Sequence, residues 1–552
     1  MADEATDDAK AEYVPDVVAN RYEMLRQPDR DKFIEAEQVE IENMVRHDVL
    51  SWCFAPKHAK LISSKFTYKR KRDHTMAVVK WKARLVARGY TMVFGVDYWH
   101  SSSPVASMTA FRLLITIAMI EGMDVSCGDI DGAFLNGNLE DDGIEGPLYM
   151  KPPAGFEDPT GQGRVFLLKR SIYGLKNASY CWFKLLVSVM TELGYRTVDA
   201  SECFWIYDDK RGAKALFVVH VDDYVHAYND SSLNHKLVSK FTKLWGVSNE
   251  GPLKFHLGMQ IDYCKGVSVT ISQRSYFEKV LKRFGFSTMK CVDSPMDSAL
   301  KITFADSDGD EALNESDRKQ YMEIVGSLIY GAVTTRVDIC NAVAQLGRVM
   351  SRPGKIHMLA AKRVLRYVAG TLDRALVFEN KPWKAPGYDE LIPPDMVIAY
   401  TDSDWAGDAD SRRSMSGYQV FMAGGVISYR ESLQKLQALS SAEAEYVALS
   451  DGGREVSYIS NILKEIKMLP DYGPIPILSD SSAALAMAQN KGVNHRTKHI
   501  ALRYHYIRAL IDNSIVTVDK IDTDANPADI LTKATDKATF VKHADTCAPR
   551  RL

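Results

Sequence analysis

The chain has 552 residues, of which 25% are charged and 46% hydrophobic, with a formal net charge of −2. That length exceeds what one hydrophobic core organises and implies three or four units at about 100–200 residues each. The near-neutral balance excludes a globally basic nucleic-acid binder, so any basic surface must be local. Its eight cysteines occur singly, with no CxxC pair. Zinc knuckles and fingers are thereby excluded, and reduced thiols in a reducing compartment are expected.

The opening "MADEATDDAK" lacks the basic start and apolar core of a signal peptide. It reads as an acidic tail. In "RDKFIEAEQVEIENMVRHDVLSW" the spacing of Phe33, Ile34, Val39, Ile41, Met44 and Val45 predicts an amphipathic helix. The basic stretch "KFTYKRKRDHTMAVVKWKARLVARGY" reads as a pair of hairpin strands. "SPVASMTAFRLLITIAMIEGM" predicts a helix capped by Ser107 or Thr109. Its apolar run "LLITIAMI" falls well short of the ~20 residues that span a membrane. The expectation at this point is a soluble intracellular protein.

A short strand follows in "DVSCGDIDGAFLNG", and a longer one in "LFVVHVDDYVHAY". "SQRSYFEKVLKRFGF" predicts a helix closed by Gly285, and the acidic "FADSDGDEALNESDRKQ" a linker. Calcium is not expected there, because the glycine and final glutamate of a calcium loop are missing. A helical stretch is expected from Arg318 to about Leu372, and the turn-formers of "WKAPGYDELIPPD" mark a boundary. Beyond it the order strand, hairpin, long helix, strand, helix, strand belongs to an α/β domain.

Two carboxylate groups carry the chemistry. Asp129 ends one apolar strand, and Asp222 and Asp223 interrupt another. If those strands are neighbours, three carboxylates converge, and buried anions persist only beside cations. Mg²⁺ suits such oxygen ligands. Two ions about 4 Å apart can activate a 3′-hydroxyl and stabilise a leaving pyrophosphate, which is nucleotidyl transfer. An Asp-Asp pair can equally be a turn or a salt-bridged pair. The second group is Asp402, Glu445, Asp480 and Asp529, drawn from a strand end, a helix, a strand end and a helix start. That pattern fits a ribonuclease H centre, although each residue alone reads as a cap or surface charge, Asp480 as an N-cap above all.

The motifs "WKARLVARGY", "GDIDGAFLNGNLED", "LKRSIYGLKNASYCWFKLL", "VVHVDDYV", "LKFHLGMQI" and "HMLAAKRVLRYVAGT" stand in the order found in copia-type LTR retrotransposon reverse transcriptases. "DSDWAGD", "SSAEAEY", "HRTKHIALRYHYIR" and "NPADILTK" resemble the same family's RNase H. The resemblance covers roughly residues 25 to 540. It implies an α/β (α+β) chain, a right-hand polymerase with fingers, palm and thumb, a connection region and a C-terminal RNase H-like domain. The implied division is a tail at 1–24, fingers and palm at 25–240, thumb at 241–300, linker and connection at 301–393, RNase H at 394–536 and a tail at 537–552.

What the resemblance implies for single residues is specific. Asp129, Asp222 and Asp223 would carry the polymerase metals, Mg²⁺ or Mn²⁺, two ions per active site. Asp402, Glu445, Asp480 and Asp529 would do so for the nuclease, with Glu443 and Asp404 as competitors for Glu445 and Asp402. Phe134 would be the steric gate that rejects a 2′-hydroxyl. Lys82 and Arg84, with Lys65 and Lys69 behind them, would hold the triphosphate. Tyr173, Gly174 and Leu175 would pack against the incoming nucleotide, and His495, Arg496, Lys498 and His499 would grip the hybrid backbone. The expected partners are RNA template, DNA primer, RNA–DNA hybrid, dNTPs and other products of the same polyprotein, with no membrane. The expected location is cytoplasmic, in virus-like particles, with nuclear entry alongside cDNA.

Two departures stand out: His220 occupies a position where the family has Tyr, and "GLKNASY" replaces "GLKQAPR". No Asp-Ser/Thr-Gly protease motif, integrase zinc site or nucleocapsid knuckle is present. The expectation is the C-terminal reverse transcriptase–RNase H portion of a retroelement polyprotein. A silent domesticated or relic nucleic-acid-binding protein is the competing reading, and the retained acids argue against it.

Overall fold

Alternation with period two turns the basic segment into a hairpin. Ser64–Arg72 pairs antiparallel with Val78–Ala87, setting Phe66 opposite Leu85, Tyr68 opposite Ala83, Thr67 opposite Arg84 and Lys69 opposite Lys82. Phe66, Tyr68, Ala83 and Leu85 are buried, so Lys65, Lys69, Lys82 and Arg84 fall on the other face. The computed structural model describes residues 16–72, 77–143, 146–468, 473–489 and 505–551. Among them no helix is long and apolar enough to cross a membrane. They divide into two units: one from Met1–Val105, Ile130–Gly194 and Ser239–Ser248, the other from Ala106–Asp129, Tyr195–Val238 and Asn249–Leu552.

In the first unit, helix Arg30–Arg46 packs on this hairpin. Its buried stripe differs from the expected one: Val39 and Val45 are 56% and 63% exposed, whereas Glu37 and Glu40 are buried. Hydrogen bonds explain the exchange. Glu37 accepts from Arg21 Nε at 3.0 Å and from the Tyr68 hydroxyl, and Glu40 accepts the Leu85 N–H at 3.1 Å. A buried carboxylate is tolerated when it is bonded in this way. Arg70, also buried, donates twice to Asp29, at 2.7 and 2.6 Å. That fork holds the Asp29 carboxyl down at about 2.

The second unit holds most of a six-stranded sheet. Its order is Val247–Pro252, Asp124–Ile130, Asp223–Tyr228, Lys214–His220, Ser201–Asp208 and Arg196–Val198. Helix Met108–Ile120 is buried almost all round. Ser107 is its cap, accepting the Ala110 N–H at 3.0 Å. Thr109, the other expected cap, instead donates to Glu455 at 2.8 Å. Gly285 closes helix Arg274–Phe284 in the left-handed conformation, as expected.

The acidic stretch expected as a linker is ordered. Thr303 and Asp306 form a capping box for a short 3₁₀ turn, and Asn314 caps helix Glu315–Thr334. The single helical stretch expected to follow is three helices, Glu315–Thr334, Cys340–Arg348 and Lys355–Ala369. Pro353 cannot continue the second of them.

The first break is built around a buried ion pair. Arg336 donates to both oxygens of Asp338, at 2.9 and 2.8 Å, and the Tyr367 hydroxyl donates to the same carboxylate at 2.7 Å. Removing one partner of such a pair strands the other charge in the interior. Asp338→Ala should therefore destabilise this unit by about 3–5 kcal/mol. The check is its urea or thermal unfolding midpoint, and an unchanged midpoint would refute a structural role for the pair.

The last part is a five-stranded sheet ordered Gly425–Leu433, Met415–Met422, Ile398–Asp404, Ile475–Ser479, Val516–Lys520. The first three strands are antiparallel, and the last two join in parallel. Helix Ser441–Glu465 crosses this sheet with two glycines in its middle. Each costs about 1 kcal/mol of helix propensity. Their reason is close approach: a Cβ on Gly452 would lie 2.6 Å from Thr401 Cγ2.

Candidate active sites

The sheet of the second unit brings two of the first carboxylates into register. Asp223 stands directly opposite Asp129 on the neighbouring antiparallel strand. Asp222 sits in the turn between Lys214–His220 and Asp223–Tyr228. The turn is strained, because Val221, a β-branched residue, has φ 66°. Gly128 precedes Asp129 for a packing reason: a Cβ there would lie 2.6 Å from the Tyr224 hydroxyl.

A cavity of about 400 Å³ opens beside these acids, lined by Cys127, Asp129, Asp223, Lys254 and His256. His256 stacks on Phe111, with ring centroids 4.7 Å apart. Burial, and then the nearby His220, lower its pKa to about 4. The Nδ1 atom of His220 is buried without a hydrogen-bond partner. The motif "LKFHLGMQI" contains His256, but only the fold shows that it faces the carboxylates.

The residues expected to meet a nucleotide cluster in the first unit. The Arg84 guanidinium lies over the Tyr173 ring, 4.8 Å from its centroid. Phe134 meets the same ring edge-on, at 5.8 Å and 89°. Gly174 has φ 87°, and a Cβ there would lie 2.2 Å from the Ala87 carbonyl oxygen. The Ala87 N–H donates to the Tyr173 carbonyl at 2.8 Å, which straps this loop to the hairpin. Lys82, Tyr173, Asp131 and Gly132 share a cavity of about 830 Å³. Burial first, then the positive charges of Arg84 and Lys71, lower the pKa of Lys82.

The second carboxylate group converges more tightly. Asp402, Glu445 and Asp480 each offer an oxygen within 4.8 Å of the others, the one such group of three or more among the described residues. Burial pushes the Asp402 carboxyl above its usual range, and Asp529 and Asp480 add to the rise while Lys533 opposes it. Glu445 is raised for the same reason, by burial and then by Asp402 and Asp480. Crowded, oxygen-only carboxylates that repel one another, two of them buried, fit a hard divalent cation.

The competitors separate by their bonds. Glu443 accepts the Leu439 N–H at 2.8 Å and serves the start of its helix, whereas Glu445 accepts the Ser403 N–H at 3.1 Å beside Asp402. Asp404 packs over Gly407, where a Cβ would lie 1.9 Å from its carboxylate. Asp480 is not the cap expected of it: Ser481 accepts the Ala484 N–H at 3.2 Å, and Asp480 accepts the Thr523 hydroxyl at 2.8 Å. Asp529, at the start of helix Asp529–Thr532, is paired with Lys533 at 2.7 Å. Lys533 and Thr532, whose hydroxyl donates to Asp402, were not singled out from sequence. The i,i+4 spacing of Asp529 and Lys533 was the available signal. His495, Arg496, Lys498 and His499 lie outside the described residues.

Residues 47–298 match the family model described as reverse transcriptase (RNA-dependent DNA polymerase). The chain is 33% identical over 525 residues to the retrovirus-related Pol polyprotein from transposon TNT 1-94 of Nicotiana tabacum, covering 94% of this chain and 38% of that protein. It is 30% identical over 499 residues to the Pol polyprotein from transposon RE1 of Arabidopsis thaliana, covering 90% of this chain and 32% of that one. The chain thus spans about a third of the length of the curated relatives it matches. A solved foamy viral protease-reverse transcriptase in complex with RNA/DNA hybrid is similar at TM-score 0.46 and 14% identity, over 92% of this chain and 56% of that one. With its ordered carboxylate strands inside the matched segment, the chain carries a reverse transcriptase region of the copia-type retrotransposon family.

Proposed function

We propose that this chain is an RNA- and DNA-directed DNA polymerase and a ribonuclease H, copying element RNA into cDNA and degrading the RNA of the resulting hybrid. The observation that carries the reading is the register of Asp129 with Asp223 beside the turn at Asp222. Support for the nuclease comes from Asp402, Glu445 and Asp480 at the meeting of two strand ends and a helix.

Asp129, Asp222 and Asp223 would hold divalent ions at one centre, and Asp402, Glu445, Asp480 and Asp529 at the other, with Mg²⁺ or Mn²⁺ the expected species. Bound there, the ions acidify the attacking oxygen, a primer hydroxyl or a water, and neutralise charge on the phosphate. Lys82 and Arg84 would bind the triphosphate through charge-assisted hydrogen bonds. Stacking on Tyr173 orients the Arg84 fork for that task. The Phe134 ring, braced by Tyr173, would exclude a ribose 2′-hydroxyl. The hybrid would be held by backbone and shape, since a copying enzyme must accept any sequence. Cytoplasmic particles are the proposed setting, with dNTPs, template RNA and the products of the same polyprotein as partners.

The test is direct. Purified full-length chain should extend oligo(dT) on poly(rA) with Mg²⁺ or Mn²⁺ and should cut labelled RNA only when it is paired with DNA. Extension no better than that of an Asp222→Asn control would end the polymerase reading. Cleavage of single-stranded RNA at the same rate as hybrid would end the nuclease one.

A further inference from the structure

The turn Asp529–Thr532 that brings in the fourth nuclease acid also brings its own cation. Lys533, four residues after Asp529, places Nζ 2.7 Å from Asp529 Oδ1. One residue earlier, the Thr532 hydroxyl donates to Asp402 Oδ2. A single turn of chain therefore engages two of the four acids, one through a neutral donor and one through a full positive charge. The Lys533 charge also bears on Asp402 and Asp480. Meanwhile Asp402, Glu445 and Asp480 stand within 4.8 Å of one another without Asp529.

Two cation positions of unequal kind follow from this arrangement. A divalent ion among Asp402, Glu445 and Asp480 meets three oxygens already gathered. One that uses Asp529 must first take its carboxylate from an ammonium that is in contact with it. The lysine can yield: its side chain is 40% exposed while that of Asp529 is 6% exposed, and four rotatable bonds let Nζ swing outward. We propose that Lys533 is a positioning residue that holds Asp529 in reserve, so that the nuclease centre takes up its divalent ions in order, the second only as Lys533 lets go. This inference rests on the ribonuclease H reading of the four acids.

Calorimetric titration with Mn²⁺ tests it, on full-length protein carrying Asp129→Asn and Asp222→Asn so that the nuclease centre dominates. With Lys533 present, the second ion should bind at least about tenfold more weakly than the first, as expected for a unit charge within a few ångströms. Lys533→Met and Lys533→Gln should strengthen the second event by about tenfold or more and leave the first within about twofold. Lys533→Arg, which keeps the charge, should behave like the parent. The proposal is overturned if second-ion binding in Met and Gln variants equals that of the parent, or if the Arg variant shifts as they do. Hybrid cleavage by the parent chain is read separately. Its absence counts against the nuclease reading, whereas cleavage with Mn²⁺ binding indifferent to Lys533 counts against the lysine alone.

Discussion

Replacement of Asp222 by Asn is expected to lower primer extension by at least about a hundredfold, the usual scale for losing one preorganised charged group from a reaction centre. The side chain keeps its size and loses only its charge, so the effect is electrostatic. Asp222 sits at a half-exposed turn, and an amide there leaves the hairpin register of Val219 with Tyr224 and His220 with Asp223 untouched. The melting temperature should therefore stay near that of the parent. Cleavage of RNA in a hybrid should also persist, because its acids lie on a separate sheet. Asp129→Asn should behave in the same way, since Asp129 faces Asp223 across the strands. Extension within tenfold of the parent for both variants would mean that these strands present their acids for some other purpose.

Asp402→Asn should do the reverse, abolishing hybrid-specific RNA cleavage to at least about a hundredfold below the parent while extension continues. Here stability adds a second readout. Burial, and then the negative charges of Asp529 and Asp480, raise the pKa of Asp402, and burial, then Asp402 and Asp480, raise that of Glu445. An amide removes one of those charges and can still accept the Thr532 hydroxyl. The melting temperature without metal should therefore be unchanged or raised, as is common when a crowded active-site charge is removed. Glu443→Gln is the matched control: its carboxylate serves the Leu439 N–H, and cleavage should survive its replacement. Joint loss of extension and cleavage in Asp402→Asn would show that the two centres are not independent.

Much of this was readable along the chain. Strand alternation separated Phe66 and Tyr68 from Lys65 and Lys69, Gly285 marked a helix end, Asp129, Asp402 and Asp480 announced themselves as acids at the ends of apolar strands, and Asp222 and Asp223 as acids that interrupt one. Each of these signals is local. It depends on a residue's own conformational preference, or on neighbours two to four positions away, and so it survives in the bare order of residues.

The remaining choices belong to segments far apart in the chain. Whether Glu37 or Val39 is buried depended on Arg21 and Tyr68 arriving to bond the carboxylate. Glu443 and Glu445 are two residues apart on one helix; the resemblance favoured Glu445, and in the fold their bonds to Leu439 and to Ser403 beside Asp402 separate them. His256 became a neighbour of Asp129 and Asp223 because its strand lies at the edge of their cavity. Sequence by itself determined which residues could do chemistry and on what elements they ride. The tertiary structure decided which carboxylates crowd together, and which of them Lys533 holds, because burial, charge repulsion and ion pairing act through space between groups that the chain order keeps apart.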